Sequence, residues 1–590
     1  MKPTILSLFS DVIKRNKNHI AIKYKNNKAW KNISWHEYFN IVKNIHTGLT
    51  EVGLKENDTV CIIGSTSYQW VLADLAIMSV GATTVPIYKN SLDSDIEYII
   101  NNSEAKYIFC EDEATADQIK ALKCKDLKII SFSDTNNTNY LNFNELANKK
   151  SKLTNEKFKK ILNSIHIDNT ATIIYTSGTT GIPKGVVLTH KQIMSEVIDL
   201  FHNYSIDHND VSLCFLPLAH IMGRIESLGN IHKPYTIAFA ESVDLIKKNI
   251  AEIKPTFIVA VPRIFEKIYN GVLNQINTKK STIKIFSWAS NIGSQVSNLK
   301  VNKRSVPITL AIQYKLAQKL VFKKIQMALG GRIRFAISGG APLEKKISEF
   351  FHAANILILE AYGLTETTAA VTANTLFDYK FGTVGKPLGD SEIKLADDGE
   401  ILVKSDKVMK EYFKNPEATA EAFDGDYFKT GDIGLITQDG FIKITDRKKD
   451  LIKTAGGKYV APQKLENLLK IDPMIANVLI HGDKKKFIIA LVTLDNDCLK
   501  QFAKNNSISY SNTEALSKHK NVYQHVKAIV AEVNSELARY ETIKNFAILP
   551  REFTTETGEL TPSMKVRRKH CDKKFEKEIL SLYGIDKSSI

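Results

Sequence analysis

Short apolar runs separated by helix-length segments constrain this chain more than any other feature. Thr59-Val60-Cys61-Ile62-Ile63 reads as a buried strand, Tyr68–Val80 as a helix and Thr83-Thr84-Val85-Pro86-Ile87 as the next strand. Ser94–Asn101 is again helical and Lys106-Tyr107-Ile108-Phe109-Cys110 a further strand. Ahead of them Trp35–Glu51 forms a helix that ends at Gly53. Apolar strands alternating with helices call for parallel sheets with helices packed on both faces. A second series of this kind runs from Thr170 to about Ile358. Gly382–Phe441 changes character. Its short alternating runs, such as Glu400-Ile401-Leu402-Val403, lie between Gly and Asp turns and predict a small antiparallel, barrel-like unit. The Asn- and Lys-rich stretch Asp134–Asn163 is expected to be a surface excursion.

At 590 residues the chain has room for several such units. A charged joint, Asp446-Arg447-Lys448-Lys449-Asp450, precedes a tail of mixed helix and strand long enough for a separate domain. The expected architecture is therefore α/β with mixed α+β elements. A large N-terminal domain (1–448) holds two βα-layered parallel-sheet subdomains and the barrel-like subdomain. A small, mobile α+β domain (449–590) follows. The balance of 80 Lys+Arg against 64 Asp+Glu gives a net charge of +16, read as a diffuse basic surface that favours polyanions such as nucleotides or acidic lipid. Six cysteines form no C-x-x-C pair, which suits reduced thiols in the cytoplasm. The N-terminus is too charged for a signal peptide. The longest apolar stretch, Trp70 to Tyr88, is broken by Asp74 and Pro86, so no membrane span is expected.

The sharpest local signal lies at Thr172–Gly185. A buried strand empties into Thr176-Ser177-Gly178-Thr179-Thr180-Gly181, followed by Lys184. Glycines let backbone N–H groups close around an anion, hydroxyls donate further bonds and the lysine adds charge. This is phosphate-binding chemistry without a Walker A or a G-x-G-x-x-G pattern.

That segment resembles the phosphate loop of the adenylate-forming superfamily, and further motifs of that family follow in order. They are Ser338-Gly339-Gly340-Ala341-Pro342-Leu343, Tyr362-Gly363-Leu364-Thr365-Glu366-Thr367, Lys429-Thr430-Gly431-Asp432, the Asp446–Asp450 joint and Thr561-Pro562-Ser563-Met564-Lys565. The resemblance spans Trp35 to about Arg568. It implies that Tyr362 and Gly363, beside Gly340, Ala341 and Pro342, receive adenine, and that Asp432 accepts the ribose hydroxyls. Arg447 would contact ribose and phosphate, and Thr365 the α-phosphate. Glu366 would hold Mg²⁺ together with ATP phosphates, as magnesium favours. Lys565 would bridge the substrate carboxylate and the α-phosphate in the transition state. Without the family, Tyr362 reads equally as a core residue, Asp432 as a turn residue and Lys565 as part of a solvated basic face.

Phe215-Leu216-Pro217-Leu218-Ala219-His220, Val261–Tyr269 and Asp446–Val460 resemble the long-chain acyl-CoA synthetase branch. The implied reaction joins a long-chain fatty acid to coenzyme A through acyl-AMP, with ATP and Mg²⁺. Lys449 would be the hinge that swings the small domain, bringing Gly456 and Gly457 to the thiol channel. His220 would line or gate the acyl pocket; a packed histidine is the alternative. The chain departs from the family at Gly229–Tyr235, which is bulkier and more polar, and at Tyr88–Leu92, which lacks a second proline. Two other readings are an acyl-AMP ligase serving a carrier protein and an inactive fatty-acid-binding homologue. A cytoplasmic enzyme is implied, with peripheral contact to the inner face of an anionic membrane and a homodimer as further expectations. The basic segment Ile308–Leu329 carries apolar residues at helical spacing. It reads either as a helix packed on the large domain or as one resting on a membrane.

Overall fold

The computed structural model describes residues 3–124, 126–135, 137–176, 182–276, 280–561 and 565–584. Two large sheets form the body. One has eight strands in the order Glu411–Tyr412, Lys184–Thr189, Thr170–Thr176, Thr83–Ile87, Thr59–Ile63, Tyr107–Cys110, Lys128–Ser131 and Leu141–Asn142. Its centre is parallel, and the two expected strands at 59–63 and 83–87 pair residue for residue. The other has nine strands around a parallel core of Val211–Cys214, Thr236–Phe239, Phe257–Ala260, Phe335–Ser338 and Leu357–Tyr362. A five-stranded antiparallel sheet between Glu392 and Arg447 supplies the smaller unit. Beyond it, Ile475–His481, Ile488–Leu494 and Ile543–Ile548 form a three-stranded sheet with its own apolar cluster. The expected α/β class with a large N-terminal part and a smaller C-terminal part is what the chain adopts.

The helix Tyr68–Ser79 is apolar all round because it is buried all round; the one charge on it, Asp74, is met by Arg224. Arg224 donates from Nε to Asp74 Oδ2 at 2.9 Å and from Nη2 to Oδ1 at 2.5 Å, and it stacks over Trp70. Two fully buried charges are tolerable only because this bidentate geometry satisfies both carboxylate oxygens. The pair bolts the helix to Ile221–His232, the element that begins at His220.

One expectation fails. The stretch 134–163 is not a surface excursion: it forms a short strand and the helices Phe143–Ala147 and Asn155–Ser164. Phe143, Leu146, Phe158 and Leu162 are buried in the main core, and Phe158 meets Phe39 edge-on. Asn and Lys dominate the composition here, but four apolar side chains at helical spacing decide the fold.

Candidate active site

The carboxyl ends of parallel strands are where open α/β sheets gather ligands, and the predicted residues leave the nine-stranded sheet at that edge. Phe335–Ser338 runs into the exposed turn Gly340-Ala341-Pro342, with Gly340 at φ +81°. The neighbouring strand Leu357–Tyr362 runs into Gly363 and the 3-10 turn Thr365–Thr367. A Cβ on Gly363 would lie 1.3 Å from the carbonyl oxygen of Ala369, so only glycine fits where the loop doubles back. That requirement comes from backbone packing rather than from a nucleotide.

The loop after Glu366 is strained and heavily braced. Thr368 and Ala369 both have positive φ, +55° and +84°, a conformation that costs on the order of 1–3 kcal/mol per residue. Around it, Thr368 Oγ1 donates to Lys407 O at 2.6 Å, and Ala370 N–H donates to Glu196 Oε1 at 2.8 Å. Lys407, wholly buried, lies 3.1 Å from Asp199 and 3.8 Å from Glu196. Burial pushes the Glu196 carboxyl up to about 8, opposed by Lys407 and by the Ala370 N–H.

Asp432 sits in the strand Tyr427–Ile436 with both carboxylate oxygens engaged. Tyr362 Oη donates to Oδ2 at 2.7 Å, and Arg447 Nε pairs with Oδ1 at 2.9 Å. Tyr362 is buried, and its hydroxyl rather than its ring face carries this contact. Burial raises the Asp432 carboxyl, opposed by Arg447, the Tyr362 bond and the charge of Lys565.

Lys565 brings the C-terminal part of the chain to this cluster. Backbone bonds hold its flanks: Thr561 N–H donates to Lys565 O at 2.8 Å, Lys565 N–H to Thr561 Oγ1 at 3.0 Å and Arg567 N–H to Glu559 O at 2.8 Å. Glu559 anchors this pairing, bonded to Arg551 at 2.6 Å and Lys574 at 2.7 Å. Burial pushes its carboxyl up, but Arg551, Lys574 and Thr557 outweigh that and hold it at about 2. Solvent still reaches the Lys565 side chain, yet protein crowds the ammonium. That crowding lowers its pKa first and Arg447 next, while Asp432 and Glu366 pull the other way. His220 is close enough to feel the same charge: burial and then Lys565 depress its imidazole to about 4. Its Nδ1 accepts from Met222 N–H at 3.2 Å, so the neutral ring carries its proton on Nε2.

Glu366 has a partner that sequence reasoning missed. Tyr412 Oη donates to Glu366 Oε1 at 3.0 Å, and Lys184 Nζ lies 5.0 Å above the Tyr412 ring. The two-residue strand carrying Tyr412 pairs with Val186 and Val187, just past the phosphate-loop lysine. A strand that short leaves no periodicity to read. Thr176 and Lys184 pair across the base of the loop, with Thr176 Oγ1 donating to Lys184 O at 3.5 Å. The expected phosphate contacts Ser177, Gly178, Thr179, Thr180 and Gly181 lie outside the described residues. Gly456 and Gly457 stand apart from the cluster, exposed at the tip of the hairpin Ile452–Lys453/Tyr459–Val460. Lys449 lies on the exposed turn after Arg447. Within the divergent stretch Gly229 has a packing reason: a Cβ there would lie 2.2 Å from the Phe201 ring.

Glu366 with Tyr412, the group Tyr362–Asp432–Arg447, Lys565 and His220 thus gather from separate elements of the chain. Residues 9–413 match the family described as AMP-binding enzyme, and residues 449–587 match the AMP-binding enzyme C-terminal domain. The chain belongs to that family. It is 36% identical, over 94% of its length and 93% of the relative's, to a long-chain-fatty-acid–CoA ligase of Mycobacterium bovis. To long-chain-fatty-acid–CoA ligase 5 of Rattus norvegicus it is 30% identical over 98% of this chain and 88% of the relative. The fold resembles that of the carboxylate reductase adenylation domain of Mycobacterium chelonae, with a TM-score of 0.77 at 20% identity, covering 98% and 91% of the two chains. Among AMP-binding enzymes the chain groups with the AMP-forming fatty acid–CoA ligases.

Proposed function

We propose that this enzyme joins a long-chain fatty acid to coenzyme A in two steps at this one site. The fatty carboxylate attacks the α-phosphorus of ATP and expels pyrophosphate; the thiol of coenzyme A then attacks acyl-AMP and expels AMP. The observation that carries this reading is the convergence of Lys565 on Glu366, Asp432, Arg447 and His220 from a separate part of the chain. Asp432 receives the ribose hydroxyls, exchanging the Arg447 contact for them, while Tyr362 and the Gly340–Pro342 turn flank the base. Thr365, the loop from Thr176 to Gly181 and Lys184 hold the phosphates. A single carboxylate, Glu366, held in place by Tyr412, suits a magnesium ion that is coordinated mainly by phosphate oxygens. Held by Glu366, such an ion would supply neutralising charge for the phosphates. Lys565 places a cation between the attacking carboxylate and the α-phosphate, where charge builds. His220, neutral and with Nε2–H free to donate, orients the fatty carboxylate.

The second step requires Lys565 to leave. Rotation about Lys449 withdraws it and carries Gly456 and Gly457, now exposed, toward the pantetheine path. The acyl chain comes from lipid, so peripheral contact with a membrane belongs to the same reading. The test is a CoA-dependent AMP-release assay across carboxylates from acetate to long fatty acids. Release that rises with chain length supports the assignment. Acyl-AMP that accumulates and ignores coenzyme A would replace it with carrier-protein loading.

A further inference from the structure

The positive charge of this protein is not diffuse. Between Lys267 and Leu343 lie thirteen Lys and Arg and no Asp or Glu, against a net charge of +16 for the whole chain. Within that stretch, Ile308–Ala317, the π-helical turn Gln318–Phe322 and Lys323–Ala328 form one continuous helical rod. Its inner side is fastened to the body. Tyr314 Oη and Gln318 Nε2 donate to Ala353 O at 2.8 and 3.0 Å, Gln326 Nε2 donates to Ala354 O at 2.7 Å, and Ala317, Phe322 and Ile325 are buried. The large apolar residues at helical spacing are mostly not on that inner side. Ile308 is 81% exposed, Ile312 64%, Leu316 50%, Leu320 45% and Met327 57%. Lys315, Lys319, Lys323 and Lys324 are exposed alongside them, as are Ile283 and Ile285 on the adjacent helix Lys280–Val301. The segment is thus a helix packed on the large domain, as one of the two readings had it, but through Ala317, Phe322, Ile325 and Leu329, which leaves the first four apolar residues of the stripe facing outward.

We propose that this ridge docks the enzyme on an anionic lipid surface, lying in the plane of the membrane with Ile308, Ile312, Leu316 and Leu320 in the acyl layer. Exposed aliphatic side chains in water are unfavourable by their area, and a rod fixed by its opposite face cannot turn to hide them. Lysines interleaved along the ridge place ammonium groups at headgroup level while their methylene stems follow the apolar side chains. The 77-residue acid-free stretch offers nothing of its own to neutralise those ammonium groups, whereas anionic headgroups do. A second copy of this chain fits the face poorly, because a symmetric contact sets four exposed lysines against four more. The proposal rests on the reading above only in that a long-chain fatty acid gives the enzyme a reason to be at a membrane. Docking is measured without substrate, so the two fail separately.

The test is cosedimentation of the full chain with phosphatidylcholine vesicles, with and without phosphatidylglycerol. Wild type should bind the anionic vesicles, lose that binding as salt rises and ignore the neutral ones. The triple variant Ile312→Ser/Leu316→Ser/Leu320→Ser and the quadruple variant Lys315→Gln/Lys319→Gln/Lys323→Gln/Lys324→Gln should each bind at least about tenfold more weakly. Both should keep AMP release with a short, water-soluble carboxylate, which shows that they fold. Vesicle binding unchanged in both variants, or no binding by wild type, overturns the proposal. So does a wild-type dimer in light scattering that the apolar variant alone converts to monomer, since the ridge is then a self-contact.

Discussion

Lys565, Asp432 and His220 are each tuned by charges around them, which makes single substitutions informative. Lys565 is destabilised as an ammonium by crowding and by Arg447, so it gains most when phosphate and carboxylate arrive. Lys565→Ala should therefore suppress acyl-adenylate formation by about 10²-fold or more, the scale of losing a preorganised electrostatic contact. Thioester formation from supplied acyl-AMP should be nearly unaffected. Equal losses in the two half-reactions would argue against a lysine that leaves between them. Asp432→Ala should raise the ATP concentration needed for half-maximal rate by at least tenfold, the scale of a lost charged hydrogen bond. An ATP dependence like wild type would remove Asp432 from the ribose. These residues were legible in the sequence because they sit in short motifs with a chemical rationale. Tyr412 was not, because its role comes from a strand pairing across more than two hundred residues.

At the scale of elements, the sequence foretold strands better than the bracing between them. The buried strands at 59–63 and 83–87 stand out as unbroken apolar runs. The brace behind Glu366 does not: Glu196 lies in a helix and Lys407 in a loop, both polar residues that a linear reading assigns to the surface. Lys407→Met should destabilise the fold by about 2–3 kcal/mol, since it strands Asp199 and removes a bond to Leu388 O. Urea denaturation measures this, and a change within error would deny the brace a structural role. A second element-scale case is Asp446, buried at the end of the strand Ile442–Arg447, where burial pushes its carboxyl from 3.8 up to about 6. A raised folded-state pKa favours the folded form at low pH, and that advantage is lost as pH rises through 6. Asp446→Asn still offers an oxygen to Arg447 N–H. It should melt higher than wild type at pH 8 and no higher at pH 4. A constant difference across that range would show that the aspartate does not titrate there.

At the scale of the whole molecule, charged side chains of the two parts of the chain face one another among the described residues. Asp95 faces Arg567 and Glu266 faces Lys470, both attractive, while Glu344 faces Glu536, which is repulsive. The Glu344 carboxyl is raised by burial first, opposed by Lys346 and raised again by Glu536, so this one contact carries a local electrostatic cost in the arrangement with Lys565 inside. Such a cost is useful to an enzyme whose second step needs the arrangement to open. Glu536→Lys reverses it and also puts a cation at the C-terminal end of the helix Lys520–Ser535, where the helix dipole favours one. Half-exposed pairs of this kind contribute up to about 1 kcal/mol, so the shift in favour of the closed arrangement is about two- to fivefold. The expected result is a burst of acyl-AMP at least as large as in wild type, followed by thioester formation slowed by that factor. High salt should restore wild-type behaviour by screening the new attraction. If both half-reactions keep their wild-type rates at low salt, the contact between Glu344 and Glu536 does not govern the opening.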